Sequence, residues 1–311
     1  MNFHTFELSY KLSTDDVRIV YNELYNASGQ NYKPKDDCAV FNALQDYGII
    51  IFIKKYKQDE YNHHVLYYRV NPRRVLENHN YIGIFNSKNI DKLIKKFNIL
   101  IKTVSPFLPE FDSCNISRID YCSNVELNDQ AVIDSYINLL KRGYFPSKYT
   151  IKKYKNEKSK RNTLSKNGIT ITGNNGIEVT YYNKYRQLKE KNPKCRYIDN
   201  SKKIIRIEIR CFKKKVRHLT KKFKCTSASS FLKESDIIGK YIFKHYANIF
   251  YGTGDFYKLT DIYAMIDKSS CKKNSKKLMK ELVKSSATHS SLDMAFDILN
   301  FNKSQIKAIL K

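Results

Sequence analysis

The sequence predicts an α+β fold: a strand-helix-strand-strand unit made twice, with an antiparallel-dominated sheet, followed by a small helical C-terminal domain. Three observations carry that reading. Segments of alternating polarity recur in the same order on either side of a break marked by Pro106 and Pro109. The intervening helices repeat apolar residues at three- and four-residue spacing. Beyond about Lys224 only the helical period remains. The expected divisions are an N-terminal half over residues 1–110, a second half over 115–212 and helices over 225–311. The halves share element order and no alignable repeat.

Asn2–Leu12 alternates imperfectly and reads as a strand. Ser13 or Thr14 can cap the next helix, whose first-turn acids Asp15 and Asp16 suit the helix dipole. Its inward stripe is Val17, Val20, Tyr21 and Leu24. Tyr47–Tyr56 and His63–Val70 read as long strands joined by KQDE, and Asn71-Pro72 stops the second. Ser87–Val104 is an amphipathic helix with its cap at Ser87. The plan restarts with a strand at 116–125 and a helix at 129–142, then strands at about 149–155, 168–173, 177–185 and 203–211. Lys152–Lys166 is a basic hairpin or loop, and Lys213–Lys224 reads equally as exposed linker or phosphate clamp. Further helices are expected over Ala228–Phe250, Leu259–Ile266, Lys272–Val283, His289–Asn300 and Lys303–Leu310.

The 311 residues include 57 Lys and Arg against 30 Asp and Glu, a formal charge of +27, with 24 Tyr and no Trp. An AT-rich genome accounts for abundant lysine and tyrosine but not for the shortage of acids, so the partner is a polyanion. Phosphate contacts release counterions, and binding then weakens steeply with salt. Seven cysteines form no C-x-x-C and follow no secretory signal, which fits reduced thiols in a cytoplasm. The longest apolar run, Tyr47–Ile53, is strand-sized and too short to span a bilayer.

The chemistry gathers on three strands. In Ile177–Gln187, Glu178, Thr180, Tyr182 and Lys184 share a face; in Ile204–Cys211, Arg206, Glu208 and Arg210 oppose Ile205, Ile207 and Ile209. Ser117–Val125 sets Arg118, Asp120 and Cys122 against Ile119 and Tyr121. A tyrosine, two carboxylates, a lysine and several arginines on one face suit phosphodiester cleavage by a tyrosine nucleophile. Asp120 and Glu208 are hard oxygen donors for Mg²⁺ or Mn²⁺. Their plainer reading is cross-strand pairing with Arg118, Arg206 or Arg210. Tyr182 leads as nucleophile, with Tyr185 and Tyr181 as alternatives. Lys184 and the arginines would stabilise phosphate charge. Arg118, Arg206, Arg210, Lys213, Lys214, Lys215 and Arg217 are the expected DNA contacts. No His-hydrophobe-His triplet occurs, and adjacent His63 and His64 would face opposite ways on a strand.

RIDYCSNVEL, the helix ending LLKRGY, VTYYNKYRQL and IIRIEIRC together resemble the gene II/X family of phage and plasmid replication proteins. They also resemble the plasmid trans-acting initiators, which share R-I-D, Y-N/D-K and R-x-E strands. The likeness spans roughly Asn115–Cys211 and does not reach beyond Lys224. It implies a rolling-circle initiator in a bacterial host cytoplasm that nicks one strand at an origin through Tyr182 and a divalent metal, then rejoins strands. It favours carboxylate-led metal binding by Asp120 and Glu208. No phosphate-binding G-x-x-x-x-G-K-[ST] loop is present, so a separate helicase would unwind the duplex. The competing function is a non-catalytic origin-binding initiator or another DNA- or RNA-binding protein, separated from the first by whether a covalent protein–DNA adduct forms.

Overall fold

The computed structural model describes residues 2–28, 33–35, 37–58, 61–77, 83–85, 87–142, 149–155, 162–163, 165–196, 198–247 and 259–289, with Ser304. The first half comprises β1 (Asn2–Leu12), α1 (Thr14–Ser28), β2 (Lys33–Lys35), β3 (Cys38–Phe41), β4 (Ile49–Gln58), β5 (Tyr61–Val70), α2 (Pro72–Glu77) and α3 (Ile90–Val104). The second comprises β6 (Asn115–Glu126), α4 (Gln130–Arg142), β7 (Tyr149–Ile151), β8 (Tyr154–Lys155), β9 (Asn162–Thr163), β10 (Gly168–Gly173), β11 (Ile177–Asn183), α5 (Lys184–Lys191) and β12 (Ile204–Phe212). Helices α6 (Lys213–Lys222), α7 (Ala228–Lys233), α8 (Ser235–Tyr246), α9 (Leu259–Lys268) and α10 (Lys273–His289) follow.

Ten strands form one sheet in the order β2-β3-β4-β5-β1-β6-β12-β11-β10-β7, and each of these neighbours pairs antiparallel. The fold is α+β with an antiparallel sheet, as the element order predicts. Reading outward from the β1–β6 seam, the order is 1-5-4-3 on one side and 6-12-11-10 on the other. The halves are thus related by a pseudo-twofold at the seam, and a single sheet runs through both.

One face of the sheet is apolar. Phe6, Leu8, Ile119, Tyr121 and Ile209 lie in a common core with Val20 and Leu24 of α1, Leu93 and Phe97 of α3, and Val216 and Leu219 of α6. Phe231, Leu232, Ile238 and Ile242 of α7 and α8 join the same core, so these two helices lie against the sheet. Phe97 is fully buried, its ring 5.2 Å from Tyr68 and 5.4 Å from Phe111. Ile133 and Ile137 of α4 cover Ile205 at the far end.

Local signals set most boundaries. The Ser13 hydroxyl accepts from the Asp16 amide at 3.1 Å and caps α1. Asp129 accepts from Val132 at 2.9 Å at the start of α4. The β10–β11 hairpin turns through Asn174, Asn175 and Gly176, whose φ of 72° suits glycine. Some expectations shift. Ser87 does not cap α3; its hydroxyl donates to Asp236 of α8 at 2.8 Å, and the helix begins after a 3-10 turn over Ser87–Asn89. The run expected as one strand over 149–155 is split: β7 pairs with β10, Lys152 keeps a backbone bond to Thr170 at 2.8 Å, and β8 pairs with β9 in a separate two-stranded sheet. The single helix expected over Ala228–Phe250 is two, broken at Glu234. Residues 156–161 and 164 of the basic loop, 290–300 of one expected helix and all but Ser304 of the helix expected at 303–310 lie outside the described residues.

Replacing Phe97 with Ala empties the centre of the core and should cost about 3–5 kcal/mol in urea unfolding. Ile99→Ala, two residues along α3 and 56 % exposed, should change stability by less than about 0.5 kcal/mol.

Candidate functional site on the polar face

The Y-N-K segment is a strand-to-helix junction. Tyr182 is the last polar-face residue of β11, paired with Arg206 of β12. Asn183 caps α5, its side chain accepting from the Arg186 amide at 3.1 Å. The same side chain donates to Gln130 of α4 at 2.7 Å, which ties the junction to the second half's first helix. Lys184 was expected on the strand; it is the first helical residue instead, because the cap turns the chain at Asn183. It is nevertheless buried beside Tyr182, its ammonium 5.8 Å from the ring centre, and donates to Gln187 at 2.8 Å. Tyr185 stands in the first turn of α5, where the Lys202 ammonium lies 5.9 Å from its ring, so it does not share the Tyr182 recess.

Tyr182 donates its hydroxyl to Glu208 at 2.5 Å. Burial pushes the hydroxyl pKa well above its ordinary value, and the Glu208 charge adds to the rise. Arg206, fully buried, donates to Asn124 at 2.7 Å. Burial, then the Arg206 charge, pulls the Lys184 pKa down to about 7. A fifth group was not foreseen. A register shift between Phe3 and Thr5 of β1 lets His4 share the polar face, where it meets Glu208, Arg206, Lys184 and Asp120. Its pKa is lowered to about 4: burial is the largest cause, Arg206 and Lys184 act in the same direction, and Glu208 and Asp120 partly offset them. The imidazole is therefore neutral near pH 7. The sequence signal was present: Phe3 and Phe6 both enter the core, a three-residue spacing that a strand reaches only with an extra residue. Gly168 of β10 faces Tyr182, and a Cβ there would stand 2.7 Å from that of Tyr182. It would also meet the Tyr181 carbonyl oxygen, so the absence of a side chain lets β10 lie close against β11 at this level.

Beside this recess runs a ladder of alternating charge. Arg69 donates to Glu7 at 2.6 Å, Arg118 donates to Glu7 at 2.9 Å and to Asp120 at 2.5 Å, and Arg210 bonds Asp120 at 3.1 Å. Arg210 also reaches Glu178 at 2.8 Å, and Lys152 closes the chain on Glu178 at 3.2 Å. The ladder crosses β5, β1, β6, β12 and β11.

Asp120, Glu208 and Tyr182 do lie on one face of neighbouring strands, as the alternation predicts. The residues do not fit a resident Mg²⁺ or Mn²⁺. Both Asp120 oxygens accept from guanidiniums, Glu208 accepts from Tyr182, and Arg118, Arg206, Arg210 and Lys184 surround the pair with positive charge. Among the described residues no group of three His, Cys, Asp or Glu side chains is placed to hold a metal. Asp120 makes the cross-strand arginine pairs that its plainer reading expects.

The basic run Lys213–Lys224 is not a linker but helix α6. Lys213, Lys214 and Arg217 are exposed along it. Lys215 is buried, its ammonium 5.0 Å from the Tyr246 ring, so it cannot act with the other three on a phosphate backbone. Compared with protein-family models and with curated proteins, the sequence matches none. No helix among the described residues is long and apolar enough to cross a membrane.

Two outcomes follow. Asp120→Asn removes a 3 % exposed carboxylate from between two arginines and should cost about 3–5 kcal/mol of folding stability, which added Mn²⁺ does not restore. His4 has a folded pKa below its unfolded value, so the unfolded chain binds the extra proton. Its contribution is present above about pH 6.5 and lost as pH falls towards 4. Urea melts from pH 7 to pH 4 should therefore lose stability less steeply in His4→Gln than in the native chain.

Proposed function

We propose that the chain initiates rolling-circle DNA replication, cutting one strand at an origin through Tyr182 and later rejoining it. The observation that carries this is the 2.5 Å hydrogen bond from the Tyr182 hydroxyl to Glu208 inside a recess lined by Lys184 and Arg206. A nucleophile bonded to its base is the arrangement covalent catalysis needs. The resemblance across Asn115–Cys211 and the +27 charge supply the substrate class.

In this reading Glu208 is a general base and not a metal ligand. The Tyr182 oxygen attacks the phosphorus while its proton passes to Glu208. The bond from phosphorus to the 3′ oxygen breaks, and that oxygen takes a proton from the Lys184 ammonium. A pKa near 7 populates both forms of Lys184 close to neutral pH, which suits an acid that must later act as a base. Arg206 offsets charge developing on the non-bridging oxygens. The phosphotyrosine keeps the bond energy, so the 3′-hydroxyl can prime synthesis and a second hydroxyl can reverse the step. A separate helicase opens the duplex.

A second reading has one observation in its favour. Tyr182 is only 9 % exposed and its hydroxyl is held strongly protonated, as a purely structural tyrosine would be. The chain would then bind its origin without cutting it. Incubation with supercoiled plasmid carrying the native element, followed by denaturing electrophoresis, separates the two. The nicking reading expects a protein–DNA adduct that Tyr182→Phe abolishes, with DNA affinity unchanged within about twofold. An adduct that survives in Tyr182→Phe removes Tyr182 as nucleophile, and no adduct in the native chain leaves the binding role.

A further inference from the structure

The β1–β5 and β6–β12 ladders occupy equivalent places in the two halves, and each carries an acid–arginine register pair, Glu7 with Arg69 and Asp120 with Arg210. Matching the halves on these pairs sets Tyr67 where the second half has Glu208, and Lys54 where it has Tyr182. The first half therefore lacks the tyrosine–carboxylate dyad and carries aromatic rings at that level. Phe52 and Tyr67 stack with centres 4.9 Å apart, with Lys54 and Arg69 within about 5.5 Å of the Phe52 ring. The Tyr56 and Tyr67 hydroxyls are 2.8 Å apart, and the Tyr56 ring, 38 % exposed, stacks on His63 at 5.3 Å.

His63 also lines a groove of about 850 Å³ bordered by α6. Lys11 comes from β1, while Lys213, Arg217, His218 and Lys221 form its helical wall. None of the described residues lining it is acidic. Along β1, His4 and Lys11 are seven residues apart, so the groove and the Tyr182 recess lie roughly 23 Å from each other on the same sheet.

We propose that this aromatic edge and basic groove hold single-stranded DNA, with bases stacking on Tyr56 and His63 and phosphates along α6. An exposed tyrosine ring stacked on a half-buried imidazole beside a row of cations is what an unpaired strand needs, since its bases have open faces that a duplex keeps stacked. The first half is then a binding copy of the second, carrying a strand towards the site of cleavage. The proposal takes its nucleic acid from the nicking reading, but its readout is equilibrium binding, which requires neither Tyr182 nor Glu208.

The test uses the full chain and a fluorescein-labelled single-stranded oligonucleotide of about 12 nucleotides, read by anisotropy. Tyr56→Ala should weaken binding about 5- to 100-fold, and Tyr56→Phe, which keeps the ring, should retain it. Lys213→Gln with Arg217→Gln should reduce the slope of log affinity against log salt by about 1.4. Tyr56 is on the surface, so unchanged melting of Tyr56→Ala separates lost stacking from lost fold. Native-like binding by Tyr56→Ala would overturn the proposal, as would an unlabelled duplex competing as well as the single strand. Loss of nicking in Tyr182→Phe with Tyr56-dependent binding intact supports both readings. Tyr56-dependent binding by a native chain that forms no adduct removes the nicking reading alone.

Discussion

The Asp120 carboxylate, held between Arg118 and Arg210 at the middle of the sheet, is the interaction on which the rest depends. An isolated buried carboxylate is expensive to desolvate, and two guanidiniums offset that cost only while the strands keep their register. A one-residue slip of β6 would send Asp120 into the apolar core and bring Ile119 and Tyr121 to the polar face. The charge ladder therefore fixes the alignment of β1, β6 and β12 together. That alignment sets Glu208 opposite Cys122, and the Arg210–Glu178 pair extends it to β11, setting Arg206 opposite Tyr182, which builds the recess.

Most of the sheet was legible because its signal is local. Alternation in IIRIEIRC and SRIDYCSNV assigned faces correctly, and Tyr181 turns to the core, where its hydroxyl donates to the Ala247 carbonyl at 3.1 Å. What alternation could not supply was any event that interrupts it. Asn183 ends a strand because its side chain caps a helix, so Lys184 reaches the site from a helical turn. His4 reaches it through a register shift. Lys215 belongs to a basic run by composition, yet the helical period turns it inward over Tyr246. Partner choice within a face was equally hidden: nothing in the sequence decides whether Asp120 meets a cation of the chain or a metal.

Within the recess, positive charge is buried more deeply than negative. Arg206 and Lys184 are almost inaccessible, while Glu208 is half-buried. Low-dielectric surroundings strengthen the field of a buried cation, which makes such a site suited to an anionic ligand entering from the carboxylate side. The lowered pKa of Lys184 reports that field, since Arg206 and desolvation both oppose its proton. His4 reports it as well, from a different strand. The lowered His4 and Lys184 and the raised Tyr182, brought together from β1, α5 and β11, set this recess apart from the ladder beside it, where cations and carboxylates alternate.

The seam between β1 and β6 joins residues more than a hundred positions apart, and it lies at the centre of the sheet. Such pairing is slow to form, because loop closure must precede any reward from contact. While the ribosome is still making the second half, β1 has only β5 beside it, and its other edge carries open backbone groups. Phe3, Phe6 and Leu8 on that strand also wait for helices that come later, α8 last among those packed on them. The nascent first half is then a sticky half-sheet, prone to pair with a neighbouring copy of itself. A chain built this way gains a rigid centre only at the end of its synthesis, and its yield in a cell depends on how that interval is covered.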